Sequence, residues 1–153
     1  MDITIYTDGS AIGNPGPGGY GVVLISGRFR KELSQGYQLT TNNRMELMAV
    51  IVGLEALKIP QSKVVVYSDS QYVVNSVEER WYIGWEKKRF KGVKNVDLWQ
   101  RFLTIYRCHK VKLVWIRGHD GNKENERCDY LAVTAAQGKQ LLEDTGYVNS
   151  KIL

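Results

Sequence analysis

The sequence predicts one α/β domain, in which a five-stranded mixed sheet joins an antiparallel hairpin to parallel strands and carries helices on both faces. The order of the patterns is the first reason, because strand-like runs come early and then alternate with helix-like runs. The second is segment 63–68, which is almost continuously apolar, as is typical of a central strand buried on both sides. A chain of 153 residues fits a single domain over 1–153, with a polar, irregular tail over about 143–153.

The individual elements follow from the spacing of apolar residues. The expected strands are 2–8, 20–26, 28–37, 63–68 and 111–117, with a hairpin turn near Ser26 and Gly27. The expected helices are 42–58, 71–79, 81–89, 96–107 and 124–136. The glycine-rich stretch 9–19 is expected to be a turn-rich loop, because neither a helix nor a Gly-Lys-Ser/Thr sequence follows it.

Composition narrows the classes of function. A net charge of +5 and a pI near 9.2 favour an acidic partner, although many basic proteins have none. No apolar stretch approaches the roughly 18 residues of a membrane span, and no signal-peptide pattern opens the chain. We therefore expect a soluble, cytoplasmic protein in which Cys128 is a buried, reduced thiol.

The positive charge is densest in one segment, Lys87-Lys88-Arg89-Phe90-Lys91. Trp81 and Trp85 come just before it, and Trp99 follows. Cations that bind phosphate beside aromatic faces are typical of a nucleic-acid surface. Helical spacing equally allows these tryptophans to face the core.

Four acidic residues stand where side chains can be held rigidly. Asp8 and Asp69 close two predicted strands, while Glu46 and Asp129 lie within predicted helices. Such carboxylates could converge on two hard cations, which prefer oxygen ligands. In a basic chain, an acidic metal centre indicates chemistry on a phosphodiester. Taken singly, each acid has a simpler explanation, as a turn residue, a helix-terminus charge or an exposed helix charge.

Six short motifs, in order and at compatible spacing, carry a resemblance to a known family. They lie in Tyr6–Ser10, Gly13–Gly21, Thr40–Leu47, Ser68–Tyr72, Val93–Trp99 and Gly118–Asp129. With them the chain resembles a bacterial type-I ribonuclease H over nearly its whole length. The resemblance implies the ribonuclease H-like fold and an endonuclease that hydrolyses the RNA strand of RNA/DNA hybrids, giving 5′-phosphate and 3′-hydroxyl ends.

The resemblance also implies roles for individual residues. Asp8, Glu46, Asp69 and Asp129 match the family's ligands for two Mg²⁺ ions, with Mn²⁺ as an alternative ion. His119 matches the family's mobile catalytic histidine and could relay protons or help the product to leave.

Substrate contacts are implied in the same way. Asn14, Asn42, Glu46 and Gln71 match positions that contact the RNA strand, where an amide can both donate to and accept from a 2′-hydroxyl. Thr41 and Asn95 match a pocket that grips a DNA phosphate. The DNA-side channel and its protruding handle match Trp81, Trp85, Lys87, Lys88 and Arg89. These contacts go to backbone and shape, so we expect little base-sequence specificity.

Three departures from the family bear on binding strength. Leu39 stands where relatives often carry an arginine of the phosphate pocket, Gly92 alone separates Phe90-Lys91 from Val93 in a shortened handle, and Glu86 interrupts the basic run. Weaker or more salt-sensitive substrate binding is the expected result, with the chemistry intact.

Two other functions stay open at this point. One is a related metal-dependent nuclease of the same fold, and the other is a non-catalytic module that binds hybrids. The first is opposed by the Asn42–Glu46 segment and the basic segment, and the second by the four acids and His119. We expect a monomer that acts on the hybrid duplex and needs neither an obligate protein partner nor a membrane.

Overall fold

The structure, a computed structural model, describes residues 2–151 and has a sheet of six strands rather than five. The strands are β1 (Asp2–Ala11), β2 (Gly16–Ser26), β3 (Phe29–Thr40), β4 (Lys63–Ser68), β5 (Lys110–Trp115) and β6 (Leu141–Leu142). The helices are α1 (Asn42–Glu55), α2 (Gln71–Glu78), α3 (Trp81–Lys87), α4 (Val96–Tyr106), α5 (Lys123–Gln137) and α6 (Thr145–Ser150).

The sheet confirms the predicted α/β class. Its strand order is β5-β4-β1-β2-β3-β6. Strands β1, β2 and β3 pair antiparallel, whereas β4 pairs parallel with both β1 and β5. Strand β1 lies next to β4 and runs parallel to it, so the carboxyl ends of the two strands are neighbours.

The glycine-rich stretch is not the loop that we expected. Strand β1 continues to Ala11 and β2 begins at Gly16, and Ala11 pairs with Gly18. The turn is closed by Ile12 N–H, which donates to the Pro17 carbonyl at 2.7 Å. Turn-forming composition misled the prediction, because several of these glycines serve close helix–strand packing rather than a loop.

Two elements near the C-terminus were not predicted. Strand β6 is only two residues long, too short for any periodicity to show. Helix α6 replaces part of the irregular tail, and the Asp144 side chain caps it by accepting from Tyr147 N–H at 3.3 Å. Residues 152 and 153 of that tail lie outside the described residues.

Neighbouring glycines of β2 face opposite sides of the sheet, and a helix packs closely on each side. A Cβ on Gly18 would approach the Met45 side chain of α1, while a Cβ on Gly19 would overlap the Ala132 carbonyl of α5. Gly36, which pairs with Gly19 on β3, also faces α5. Side chains at these positions would push the helices away, so the glycines fix how closely α1 and α5 approach the site.

The core lies chiefly between the sheet and helices α1, α2 and α4. Its largest fully buried side chains are Trp99 and Phe102 of α4, joined by a long apolar stretch of α1. Cys128 is buried, as expected, while Cys108 is exposed. Over the described residues, every helix is too short or too polar to cross a lipid bilayer.

Candidate active site

Two of the four predicted acids meet at the ends of neighbouring strands. The β1–β4 register pairs Thr7 with Ser68, so the following residues, Asp8 and Asp69, emerge side by side. Asp8 is buried and its Oδ1 accepts from Gly9 N–H at 2.9 Å. The parallel pairing therefore places two carboxylates together, as the sequence suggested.

Helix α1 brings the third acid to the same place. A Cβ on Gly9 would overlap the backbone of Met45 and Glu46, so only glycine allows α1 to cross β1 this closely. The first turn of α1 is fixed by Thr41, whose hydroxyl accepts from Arg44 N–H at 3.2 Å. Glu46 follows directly after that turn and points to the strand ends.

The three carboxylates form a group that suits a metal ion. One oxygen from each of Asp8, Glu46 and Asp69 lies within 4.8 Å of the others. Glu46 Oε2 is buried and has no hydrogen-bond partner among residues 2–151. A buried carboxylate oxygen without a donor is costly unless a cation or a proton satisfies it. The residues present therefore fit hard divalent cations.

The pKa values of these three carboxyl groups are raised, because the groups are buried close to one another. Burial, followed by the neighbouring Asp69 charge, raises the pKa of Asp8 to about 8. Burial raises the pKa of Glu46 well above its usual value, with Asp8 and Asp69 adding to the effect. Burial also raises the pKa of Asp69. Without a cation the group retains protons, and a bound cation would stabilise the ionised forms.

Asp129 lies near this group without joining the 4.8 Å cluster. It is half-buried on α5, directly after Cys128, whose carbonyl a Cβ on Gly21 would overlap. Gly21 pairs with Asp8 across the β1–β2 ladder. The charge of Asp129 contributes to the raised pKa values of Asp8 and Asp69, which places it at the edge of the same centre.

His119 occupies an exposed loop beside the acids. Its backbone has φ of 55°, in the left-handed region. A Cβ on the preceding Gly118 would lie 2.7 Å from Asp69 Oδ2, so the loop rests against that carboxylate. The charge of His119 lowers the pKa of Asp69 and partly offsets the effect of burial.

The predicted RNA-strand residues surround the start of α1 and α2. Asn14 Oδ1 accepts from Asn42 N–H at 3.0 Å, and Asn42 Oδ1 accepts from Ala11 N–H at 2.6 Å. These bonds occupy the carbonyl oxygens and fix both side chains, leaving their NH₂ groups as donors. Gln71 is exposed at the first position of α2, two residues after Asp69.

A groove of about 860 Å³ collects the predicted phosphate residues, and we call it the phosphate groove. Thr41 and Asn95 line it, together with Asn14 and Asn42. Asn95 Nδ2 donates to the Tyr72 hydroxyl at 3.2 Å, which holds that side chain in place. The acids Asp8, Glu46 and Asp69 lie outside its lining, so binding here is spatially separate from the carboxylate cluster.

The basic segment is exposed and only partly aromatic on its surface. Lys87, Lys88 and Arg89 are all exposed. Trp81 is 46% exposed, whereas Trp85 is half-buried with its ring edge-on to Trp99 at 5.1 Å between centroids.

Glu86 and Leu39 are two of the three predicted departures from the family. Glu86 forms a 2.7 Å ion pair with Arg107, which partly neutralises the negative charge that interrupts the basic run. Leu39 is 42% exposed and does not line the phosphate groove.

A second buried charge cluster escaped the sequence-based prediction. Arg44 donates to Asp144 at 2.8 and 2.9 Å and to Asp97 at 2.9 and 2.7 Å. Thr40 Oγ1 also donates to Asp144 at 2.7 Å. These residues join the ends of β3, α1, α4 and α6 beneath the phosphate groove. Asp97 in the first turn of α4 offered a weak signal, whereas nothing local to Asp144 indicated a partner about 100 residues away.

Fold and site together define a class of protein, an α/β protein with an acidic, metal-binding centre at the ends of parallel strands. The profile of the RNase H family, described as RNase H, matches residues 1–137. Ribonuclease H of Aeromonas hydrophila subsp. hydrophila is 55% identical over 150 residues, which cover 95% of this chain and 96% of that protein. Ribonuclease H of Trichodesmium erythraeum is 55% identical over 151 residues, covering 95% and 96%. The chain belongs to the ribonuclease H family.

Solved structures agree with this assignment. LC9-RNase H1, a type 1 RNase H with the type 2 active-site motif, has a TM-score of 0.82 and 34% identity, covering 99% of this chain and 81% of that one. LC11-RNase H1, solved in complex with an RNA/DNA hybrid, has a TM-score of 0.66 and 30% identity, covering 88% and 96%. The predicted fold and family are confirmed.

Proposed function

We propose that this ribonuclease H hydrolyses the RNA strand of RNA/DNA hybrids, leaving 5′-phosphate and 3′-hydroxyl ends. The observation that carries the proposal is the cluster of Asp8, Glu46 and Asp69, with ligand oxygens within 4.8 Å of one another. Membership of the family supports the activity. The hybrid complex of LC11-RNase H1, at 30% identity, supports the substrate.

Mg²⁺ is the proposed ion. Asp8, Glu46 and Asp69 would hold two such ions, with Asp129 completing the site from α5. Ions bound in this way supply a water nucleophile near neutral pH and stabilise charge on the leaving oxygen. Two observations support a site built for cations: Glu46 Oε2 has no hydrogen-bond partner within residues 2–151, and the pKa of Asp8 is raised.

The protein's own groups bind and orient the substrate. The NH₂ groups of Asn14 and Asn42 would donate to RNA-strand oxygens, and Gln71 would contact the same strand beside Asp69. His119 would accept or return a proton near the scissile phosphate, since its loop rests against Asp69 and is exposed.

The DNA strand is assigned to the other side of the site. Thr41 and Asn95 would bind one backbone phosphate in the phosphate groove. Lys87, Lys88 and Arg89 would attract the strand further along, while Trp81 and Trp85 would lie against its sugars. Contacts to backbone carry no sequence information directly, so cleavage should show little base preference.

The deciding experiment uses an end-labelled RNA/DNA hybrid beside single-stranded RNA, double-stranded RNA and double-stranded DNA. Cleavage of the hybrid's RNA alone, in Mg²⁺ and not in chelator, is the expected result. Hybrid binding by folded protein without any cleavage would instead establish a binding module. Cleavage of a different duplex would favour a sister nuclease of the same fold.

We further propose that residues 1–153 act as one domain, as a monomer in the cytoplasm without an obligate protein partner. Light scattering on the purified protein should give the mass of one chain, 17.4 kDa. A stable dimer at the concentrations used for cleavage would refute the monomer.

A further inference from the structure

One wall of the phosphate groove takes no part in the substrate contacts proposed above. Helix α6 contributes Gly146, Tyr147, Asn149 and Ser150 to the lining, and Lys151 follows at its end. We propose that Lys151 binds a backbone phosphate of the substrate's DNA strand, so that α6 is part of the nucleic-acid interface. This inference rests on the proposed hybrid substrate.

The buried charge cluster anchors this wall firmly. Asp144, directly before α6, is buried and accepts from both Arg44 and Thr40. A Cβ on Gly146 would overlap Asp97 Oδ2, so the helix start lies directly against the start of α4. Tyr147 is buried as well. Lys151 therefore extends from a fixed platform, which lowers the entropy lost when it binds an anion.

The same contacts place Lys151 on the DNA side of the groove. Gly146 packs against Asp97, and Asp97 is two residues beyond Asn95. Asn95 belongs to the proposed DNA phosphate contact. A cation on α6 is thus presented to the strand that Asn95 would hold.

The charge of the groove points to the same ligand. Arg44, although cationic, is bound on both sides by Asp97 and Asp144. Lys94 and Lys151 also line the groove, and neither forms an ion pair with an acid of residues 2–151. Two lysines without acidic partners, beside the hydroxyl and amide groups of Thr41 and Asn95, complement a phosphate.

The geometry of Lys151 leaves its donors available. Its Nζ lies 5.2 Å from the centroid of the Tyr147 ring. A cation–π contact holds the ammonium without using up its three N–H donors. Lys151 also supplies a charge that Leu39 does not, because Leu39 is apolar and lies outside the lining.

The first test compares Lys151→Gln with Lys63→Gln. Lys63 is another exposed lysine, at the start of β4 and at the opposite end of that strand from Asp69. Hybrid affinity is measured in chelator over a series of salt concentrations. Lys151→Gln should weaken binding about fivefold at 0.1 M salt and reduce the slope of log K against log[salt] by about 1. Lys63→Gln should change neither.

The second test identifies the strand. Neutral methylphosphonate linkages are introduced one at a time along the DNA strand and, separately, along the RNA strand. At one DNA linkage, the neutral substitution should weaken hybrid binding by the wild-type protein but not by Lys151→Gln. That difference would show that Lys151 and this phosphate are coupled. Lys63→Gln should keep the wild-type cleavage rate at saturating hybrid.

Two outcomes would overturn the inference alone. If the salt slope of Lys151→Gln equals that of Lys63→Gln, Lys151 is not part of the interface. If Lys151 is coupled to an RNA linkage, it binds the RNA strand and not the DNA strand. If wild-type protein neither binds nor cleaves the hybrid, the proposed function itself fails. Wild-type cleavage with an unaltered Lys151→Gln slope overturns only the role of α6.

Discussion

Helix α1 carries residues of two opposite kinds of charge cluster, two positions apart. Arg44 faces Asp144, which is buried like itself, and the more exposed Asp97, and these opposite charges are paired and hydrogen-bonded. Glu46 faces Asp8 and Asp69, where like charges meet and one oxygen lacks any partner among the described residues. The first arrangement stabilises the fold because its charges compensate one another. The second stores repulsion that a bound cation can relieve, so it is suited to binding rather than to stability.

The largest expected effect is on catalysis at the like-charge cluster. Asp8→Asn should reduce hybrid cleavage by at least about a thousandfold, because a metal ligand becomes neutral. Asp69→Asn should do the same. Single-turnover cleavage in Mg²⁺ measures both. Full activity in either variant would refute the metal-ligand assignment, and circular dichroism confirms that the fold is intact.

The paired cluster should respond in stability. Arg44→Met should lower the free energy of unfolding by about 3–5 kcal/mol, because Asp144 stays buried without its cation. Arg101→Met is the matched control, since its ion pair with Glu55 lies at the surface and such a pair contributes at most about 1 kcal/mol. Denaturant unfolding distinguishes the two. Equal losses would mean that the Arg44 cluster stabilises no more than a surface ion pair.

The loop that carries His119 rests against the like-charge cluster, because a Cβ on Gly118 would lie 2.7 Å from Asp69 Oδ2. His119→Ala should slow cleavage about a hundredfold without abolishing it, which is the usual contribution of a proton-transferring side chain. His119→Asn controls for the backbone, because asparagine tolerates the positive φ of this loop. Both variants should lose a similar amount. Complete loss would give His119 a larger role than proton transfer, and an unchanged rate would give it none.

The smallest expected effect is a pH dependence of stability with opposite sign in the two clusters. In chelator, Asp8 keeps its proton in the folded state up to about pH 8 but loses it near 3.8 when unfolded. Its contribution to stability is therefore present below pH 3.8 and lost as the pH rises toward 8. Asp8→Asn should be more stable than wild type by about 1–2 kcal/mol at pH 8, and the gain should vanish at pH 4.

Asp97 provides the opposite case for the same experiment. Arg44 lowers the pKa of Asp97, so this carboxylate stabilises the fold above its unfolded pKa of about 3.8 and stops doing so as the pH falls through its lower folded value. Asp97→Asn should therefore destabilise the protein at pH 8, unlike Asp8→Asn. Equal signs for the two variants at pH 8 would remove the distinction between the clusters.

The sequence alone determined the fold class and the family, and it singled out four acids, three of which the structure brings together. Those features depend on local pattern: an apolar run ending at Asp69, an alternating run ending at Asp8, and motifs of a few residues. Because each acid directly follows its strand, the parallel pairing of β1 with β4 is enough to bring Asp8 and Asp69 together.

Only the tertiary structure decided the rest. Arg44 and Asp144 are 100 residues apart and show no joint signal in the chain, so their ion pair appears only when β3, α1 and α6 pack together. Gly18 and Gly19, which were predicted to lie in a loop, belong to strand β2. The absence of a side chain there lets α1 and α5 approach the sheet. The position of α6 along the phosphate groove depends on the same packing. The sequence could not predict it, because long-range contacts leave no local periodicity.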